Sequence, residues 1–244
     1  MMKSTHPIIR TPKDRGFTLI EMAVVLVIIG LLLGGMLIPI GAQIDQKNYS
    51  DTKKSLDEAK EALVGYAITR GYLPCPAISD VNGLEDRDAG GACNTRVGFL
   101  PWEELGVMPT DSWGYLYRYS VTPAFSNSTS SISVSPLTGR DITIRTRNTA
   151  GGLENLSNAD DIPAIIMSHG KNGSGATTKD GTVTPDTSLT NDDEDTNNLA
   201  AGRVFISRTY TENTAAGGGE FDDVVVWISP NIYISRMVAA GRLP

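Results

Sequence analysis

Few side chains in this 244-residue sequence are placed to make or break covalent bonds. Its two histidines are His6 and His169, and His169 directly follows Ser168. Neighbouring residues of an extended segment point to opposite faces, so this hydroxyl and imidazole do not form a nucleophile–base pair. Gly170-Lys171-Asn172-Gly173-Ser174-Gly175 is glycine-rich but lacks the spacing of a phosphate-binding Walker loop. Cys75 and Cys93 are too far apart for a redox Cys-x-x-Cys pair. The chain reads as a protein that is not an enzyme. Its chemistry lies in carboxylates instead: Glu21 at the edge of an apolar run, and the adjacent pair Asp222-Asp223.

Glu21 introduces a stretch, Met22 to Ile44, without one charged side chain. At about 1.5 Å per residue this run is ~34 Å long, enough to cross a hydrocarbon core of ~30 Å. It exceeds the ~7–15-residue apolar region of a secretory signal, and no small-x-small cleavage site follows it. Lys3, Arg10, Lys13 and Arg15 against Asp14 give the first sixteen residues a balance of +3. The basic end therefore stays cytoplasmic, and everything beyond Asp45 is exported. With a net charge of −7 the rest of the chain carries −10, which argues against a nucleic-acid partner, since phosphates need a basic surface. A carboxylate beside hydrocarbon normally has a partner, which makes Glu21 a functional candidate. The plainer reading is an interfacial glutamate with its head in water.

The residues around Glu21 carry a more specific signal. Gly16-Phe17-Thr18-Leu19-Ile20-Glu21, after a short basic leader and before the apolar run, resembles the processing site of type IV prepilins and type II secretion pseudopilins. The resemblance implies that an inner-membrane prepilin peptidase cuts between Gly16 and Phe17 and methylates the new Phe17 amine, leaving the apolar segment in the mature protein. It also implies as partners other pilin or pseudopilin subunits and the inner-membrane assembly machinery. Gly30 stands where that family has a helix glycine, and Pro39 falls one residue after its usual proline. In a filament, the Glu21 carboxylate would pair with the Phe17 ammonium of an adjacent subunit. Low dielectric strengthens such a pair and penalises an unpaired charge. The pair would set axial register, as a buried polar residue does in a coiled coil.

These features divide the chain into a cleaved cytoplasmic leader (1–16), a transmembrane and assembly helix (17–44), its amphipathic continuation (45–71) and an exported, periplasmic globular domain (72–244). In the continuation, Tyr49, Leu56, Ala59, Leu63, Tyr66 and Ala67 recur mostly three, four or seven apart, a helical stripe. Gly71 is its stop, with Pro74 and Pro76 beyond. A single helix over 17–70 would be ~80 Å long, with Gly34, Gly35 and Pro39 as points where it can kink. Strands are expected at Tyr115–Val121, Ile132–Val134, Asp141–Arg145, Ile162–Ser168, Arg203–Tyr210 and Val224–Ile228. A short helix follows Ser229-Pro230 and stops at Gly241. The 176–200 segment, with its acidic run Asn191–Asp195, reads as a solvated loop. The fold class is α+β: a long N-terminal helix packed on a C-terminal antiparallel β-sheet, as in pilins. Trp102, Trp113, Trp227 and Tyr115, Tyr117 and Tyr119 read as core fillers rather than a stacking platform.

Outside the inner membrane Cys75 and Cys93 favour a disulfide over two buried thiols. The globular part resembles major pseudopilins in pieces. Asp111-Ser112-Trp113-Gly114-Tyr115-Leu116-Tyr117-Arg118-Tyr119 is similar to their Asp-x-Trp-Gly-x-x-Tyr-x-Tyr segment. Ser168–Gly173 and Phe221–Trp227 are similar to two later ones, separated here by a longer insertion. Those proteins bind calcium in C-terminal loops, and the matching positions are Asn172, Asp222 and Asp223, with Asn172 where the family has Asp. The acidic run near Asp192 can add oxygens, and calcium takes six to eight of them. The alternative is that Asp222 and Asp223 simply begin a surface strand.

The expected function is that of a structural subunit, a pseudopilin or minor pilin, of a type IV pilus or type II secretion filament. A monomeric membrane-tethered binding module in the periplasm is the competing reading, and it has no need of Glu21 or a processed Phe17. A membrane-anchored hydrolase would need a nucleophile that the sequence does not offer.

Overall fold

The computed structural model describes residues 16–129, 141–158, 160–199 and 201–243, with the side chains of 33–40 excepted. The chain divides into two compact units, Met1–Ile44 and Asp45–Pro244. Helix α1 (Leu19–Arg70) contributes to both. The elements that follow are β1 (Val97–Phe99), the single-turn α2 (Trp102–Leu105), β2 (Arg118–Val121), the single-turn α3 (Pro123–Ser126), β3 (Thr143–Arg147) and β4 (Leu153–Asn155). Then come β5 (Ala164–Ser168), α4 (Asp192–Asn198), β6 (Val204–Ile206), β7 (Val224–Trp227) and α5 (Pro230–Ala239).

In the larger unit, the stripe on α1 explains why the helix forms and what it packs on. Leu56, Ala59, Leu63, Val64 and Ala67 are fully buried, together with Thr52; Tyr66 is half-buried and Tyr49 exposed. They face a four-stranded antiparallel sheet of order β1-β2-β5-β7. Tyr119, Val121, Ala164, Ile166 and Val224 on its strands join the core of α1, with Tyr233 and Met237 of α5. Alternate residues of the same strands, Ile165, Met167 and Val225, point the other way. There they meet Ile142, just before β3, and Ile144 and Phe205 of a second sheet, ordered β4-β3-β6. β5 is therefore buried on both faces, which its unbroken apolar run Ala164–Met167 permits.

The helix ends as its sequence suggests. Gly71 takes φ +92° and its amide donates to Ala67 O at 2.7 Å, a left-handed stop that glycine adopts without strain. Arg242 Nε donates to Ile68 O at 2.7 Å, satisfying a terminal carbonyl from beyond α5.

The α+β class and the helix-on-antiparallel-sheet arrangement of pilins are both present. Several local expectations need correction. The expected strand Arg203–Tyr210 is ordered only over Val204–Ile206, and it pairs in parallel with β3 in a second sheet. Tyr115 and Leu116 make isolated bridges, to Thr178 and Thr110, rather than extending β2. Strands β1 and β4 lie where none was expected, and Ile132–Val134 falls outside the described residues. The acidic segment is not a solvated loop throughout. Its residues Asp192–Asn198 form α4, and Asp193 and Glu194 are each only 1 % exposed. Asp193 is buried because Arg147 and Arg208 both pair with it, at 2.8 and 2.7 Å.

Candidate functional site

At the N-terminal end, Gly16 and Phe17 precede the first turn of α1 and are exposed. The Thr18 amide and hydroxyl donate to Glu21 Oε2 at 2.8 and 2.9 Å, and the Glu21 amide donates to Thr18 Oγ1 at 3.2 Å. This is a capping box: two residues three apart satisfy each other's free helix-end amides. Leu19 within it and Leu26, Val27 and Leu31 beyond it are exposed on the described part of the helix. Among the described residues no helix is long and apolar enough to cross a membrane. The run expected to do so includes 33–40, whose side chains lie outside them.

Cys75 and Cys93 are joined in a disulfide. The bridged loop has a polar spine. Glu85 accepts from the Cys75 amide at 2.8 Å and pairs with Arg87, whose guanidinium also reaches Ser126 O at 2.5 Å and stacks on the Tyr72 ring.

The Asp-x-Trp-Gly segment proves to be a turn that supports the sheet. Asp111 Oδ1 accepts from the amides of Trp113 and Tyr115 at 3.0 and 2.9 Å, and Oδ2 accepts from Ser168 Oγ at 2.5 Å. The Ser112 amide donates to Thr52 Oγ1 at 3.1 Å, seating this turn on α1. Burial raises the Asp111 pKa, opposed by these donors. The Ser168 hydroxyl is thus engaged by Asp111, not by His169. Tyr117 and Tyr119 are buried core residues and Trp102 nearly so; Trp113, Tyr115 and Trp227 are half-buried.

The C-terminal loops bring Asn172, Asp222 and Asp223 together, and add Glu194 from α4. Ligand oxygens of Glu194, Asp222 and Asp223 lie within 4.8 Å of one another. Asn172 takes part as a donor: its amide nitrogen meets Glu194 Oε2 at 2.9 Å, and its backbone N–H meets Asp222 Oδ2 at 2.8 Å. Asn197 Nδ2 donates to Asp223 Oδ2 at 2.8 Å. Asp222 Oδ1 is buried and accepts no hydrogen bond among the described residues. Burial pushes Asp222 up to about 7 and Asp223 well above the carboxylate range, with Glu194 adding to both. Three buried carboxylates served only by neutral donors and one orphaned oxygen fit a hard divalent cation. Glu194, Asp222 and Asp223 would hold it. Lys171 ties the same loop to α1, pairing with Asp45 at 2.6 Å.

Glu194 is the residue that sequence reasoning did not single out. The acidic run was visible, but which of its members turns inward depends on α4 and on partners distant in the chain.

The profile of the prokaryotic N-terminal methylation motif matches residues 11–37. That motif places the chain in the type IV pilin and type II pseudopilin superfamily. It implies inner-membrane anchoring through the N-terminal segment, and a structural rather than catalytic protein. No curated protein and no solved structure matches the chain.

Proposed function

We propose that this chain is a structural subunit, a pseudopilin or minor pilin, of a type IV pilus or type II secretion filament. The observation that carries this reading is the coincidence of the matched motif, residues 11–37, with Gly16, Phe17 and Glu21 in their required order at the start of α1. The precursor sits in the inner membrane with its basic end in the cytoplasm and its domain in the periplasm. The peptidase cuts after Gly16 and methylates Phe17.

Cleavage creates what Glu21 lacks. Before it, Phe17 has no ammonium, and the Glu21 carboxylate serves the Thr18 amide. Afterwards a terminal cation stands one residue from that cap. An incoming subunit that offers its own Phe17 ammonium to Glu21 neutralises a charge that is otherwise stranded beside hydrocarbon. The exposed apolar side chains of α1 then pack against those of neighbours. A mature chain of 228 residues, 244 less the 16 of the leader, is large for a repeating subunit and favours a minor one. Calcium is the cation proposed for Glu194, Asp222 and Asp223, where it fixes the loop that Lys171 ties to α1.

Single cysteines placed along the apolar helix, for example Val25→Cys and Leu32→Cys, test assembly in the cell that makes the protein. A subunit gives discrete crosslinked adducts with itself or with a second pilin, and they disappear in Glu21→Ala. A tethered monomer gives none, and that result would put the binding-module reading first.

A further inference from the structure

In the larger unit, α1 carries a second stripe, opposite the one that packs on the sheet. Lys47, Asp51, Lys54, Glu58, Glu61 and Gly65 follow one another at alternating spacings of four and three, which keeps them on one helix face. That face is turned away from Leu56, Ala59, Leu63 and Ala67, which are buried. The side chains of Lys54 and Asp51 are 72 % and 45 % exposed, and Lys47 and Glu58 are exposed as well. Little of this charge is used within the chain. Glu61 pairs with Arg236 of α5. Lys54 reaches back only to Asp51, at 3.7 Å, an exposed contact of small value. Among the described residues Lys47 and Glu58 enter no ion pair.

The order of the charges is informative. Each lysine precedes an acid by four positions, Lys47 before Asp51 and Lys54 before Glu58, the order that supports a helix less than its reverse. It does fit a parallel neighbour. A second copy alongside, displaced outward by four residues or ~6 Å, brings its Lys47 and Lys54 level with Asp51 and Glu58 of the first. With no displacement, like charges face each other. A displacement of seven sets Lys47 against Lys54 and Asp51 against Glu58, again like on like. A displacement of three brings Asp51 level with Lys54 but Glu58 level with Glu61. Four is also the shift that pairing Glu21 with a neighbour's Phe17 requires, since those two residues are four apart in the sequence.

When parallel helices gather with their domains outward, the face opposite the domain is the one each turns to its neighbours. We propose that this stripe is a self-docking surface, on which a second copy of the chain seats Lys47 and Lys54 against Asp51 and Glu58 at a four-residue shift. This rests on the filament reading and names the neighbour within it. Low copy number does not alter the requirement, because two copies in succession are enough.

Charge reversal in trans tests it, in the cell that makes the protein. Lys54→Glu and Glu58→Lys, each produced alone, set like charges against each other wherever two copies meet. Each should lower the sheared filament fraction about tenfold, since like charges across an interface are strongly disfavoured. Produced together, the two variants restore opposite charges at this contact when they alternate, and most of the wild-type yield should return. A second copy does not repair a defect inside one helix, so recovery in trans separates docking from folding. Lys47→Glu with Asp51→Lys is an independent pair for the same experiment. Val25→Cys on the wild-type stripe reports assembly through the apolar helix. Normal filaments from the single variants, or no recovery from either mixture while Val25→Cys still crosslinks, would overturn the stripe and leave the filament reading standing. Absence of both filaments and Val25→Cys adducts with the wild-type stripe would overturn the two together.

Discussion

Thr18 and Glu21 close on each other at the start of α1, the Thr18 amide donating to Glu21 Oε2 at 2.8 Å and the Glu21 amide returning a bond to Thr18 Oγ1 at 3.2 Å. Glu21 therefore has two separable roles, a cap within the chain and a charge available to a neighbour. Thr18→Val removes most of the cap and keeps the charge. It should cost the helix start about 1 kcal/mol while filaments still form. Glu21→Gln keeps an oxygen for the cap and loses the charge. It should insert into the membrane and be cut normally, yet leave the sheared filament fraction empty on an immunoblot. Normal filaments from Glu21→Gln would remove the charge-pairing account.

The bridge between Cys75 and Cys93, 18 positions apart, restrains the unfolded chain. The double variant Cys75→Ser, Cys93→Ser should lose ~3 kcal/mol on the loop-entropy view, read as a lower urea midpoint with an almost unchanged slope. The Glu85–Arg87 spine holds the loop in place, so the variant should still fold. An unchanged midpoint would mean that this spine, not the bridge, sets the loop's stability.

Glu194, Asp222 and Asp223 crowd three carboxylates into one buried space. In chelator, Asp222→Asn should melt at a higher temperature than the wild type, because it removes one of the repelling charges. Millimolar calcium should raise the melting temperature of the wild type by linkage and leave Asp222→Asn nearly unmoved. Equal responses from the two proteins would show that calcium acts elsewhere or not at all.

His169 is buried with a pKa lowered to about 4, chiefly by desolvation. The unfolded chain takes up this proton near pH 6.5, and the folded one only near 4. Between those values the unfolded state binds more protons, so stability falls as pH falls. The full penalty is about 3 kcal/mol at ~1.4 kcal/mol per pKa unit. His169→Gln should lack this part of the acid sensitivity, so the wild-type and variant stability curves should converge as pH drops from 6.5 to 4. Parallel curves would contradict it.

The parts of the fold legible in the sequence are those whose signal is local. The α1 stripe, the Gly71 stop and the Pro230 start of α5 each follow from a few neighbouring residues. β5 shows itself as an apolar run. Asp111 was visible as a motif, although its role as a turn that collects two amides and Ser168 needs the strands it joins. The acidic segment was misread because charge alone signals solvation. What buries Asp193 is Arg147, 46 residues earlier, and Arg208 beyond β6. For the same reason Asp222 and Asp223 were readable as candidate ligands and Glu194 was not.

The central claim is most directly tested by intact-mass and N-terminal peptide mass spectrometry on the chain expressed with and without a prepilin peptidase. The account predicts a peptidase-dependent product of 228 residues beginning at N-methylated Phe17, beside an uncut precursor when the peptidase is absent. A full-length product in both cases, or a cut beyond the apolar run, would contradict it.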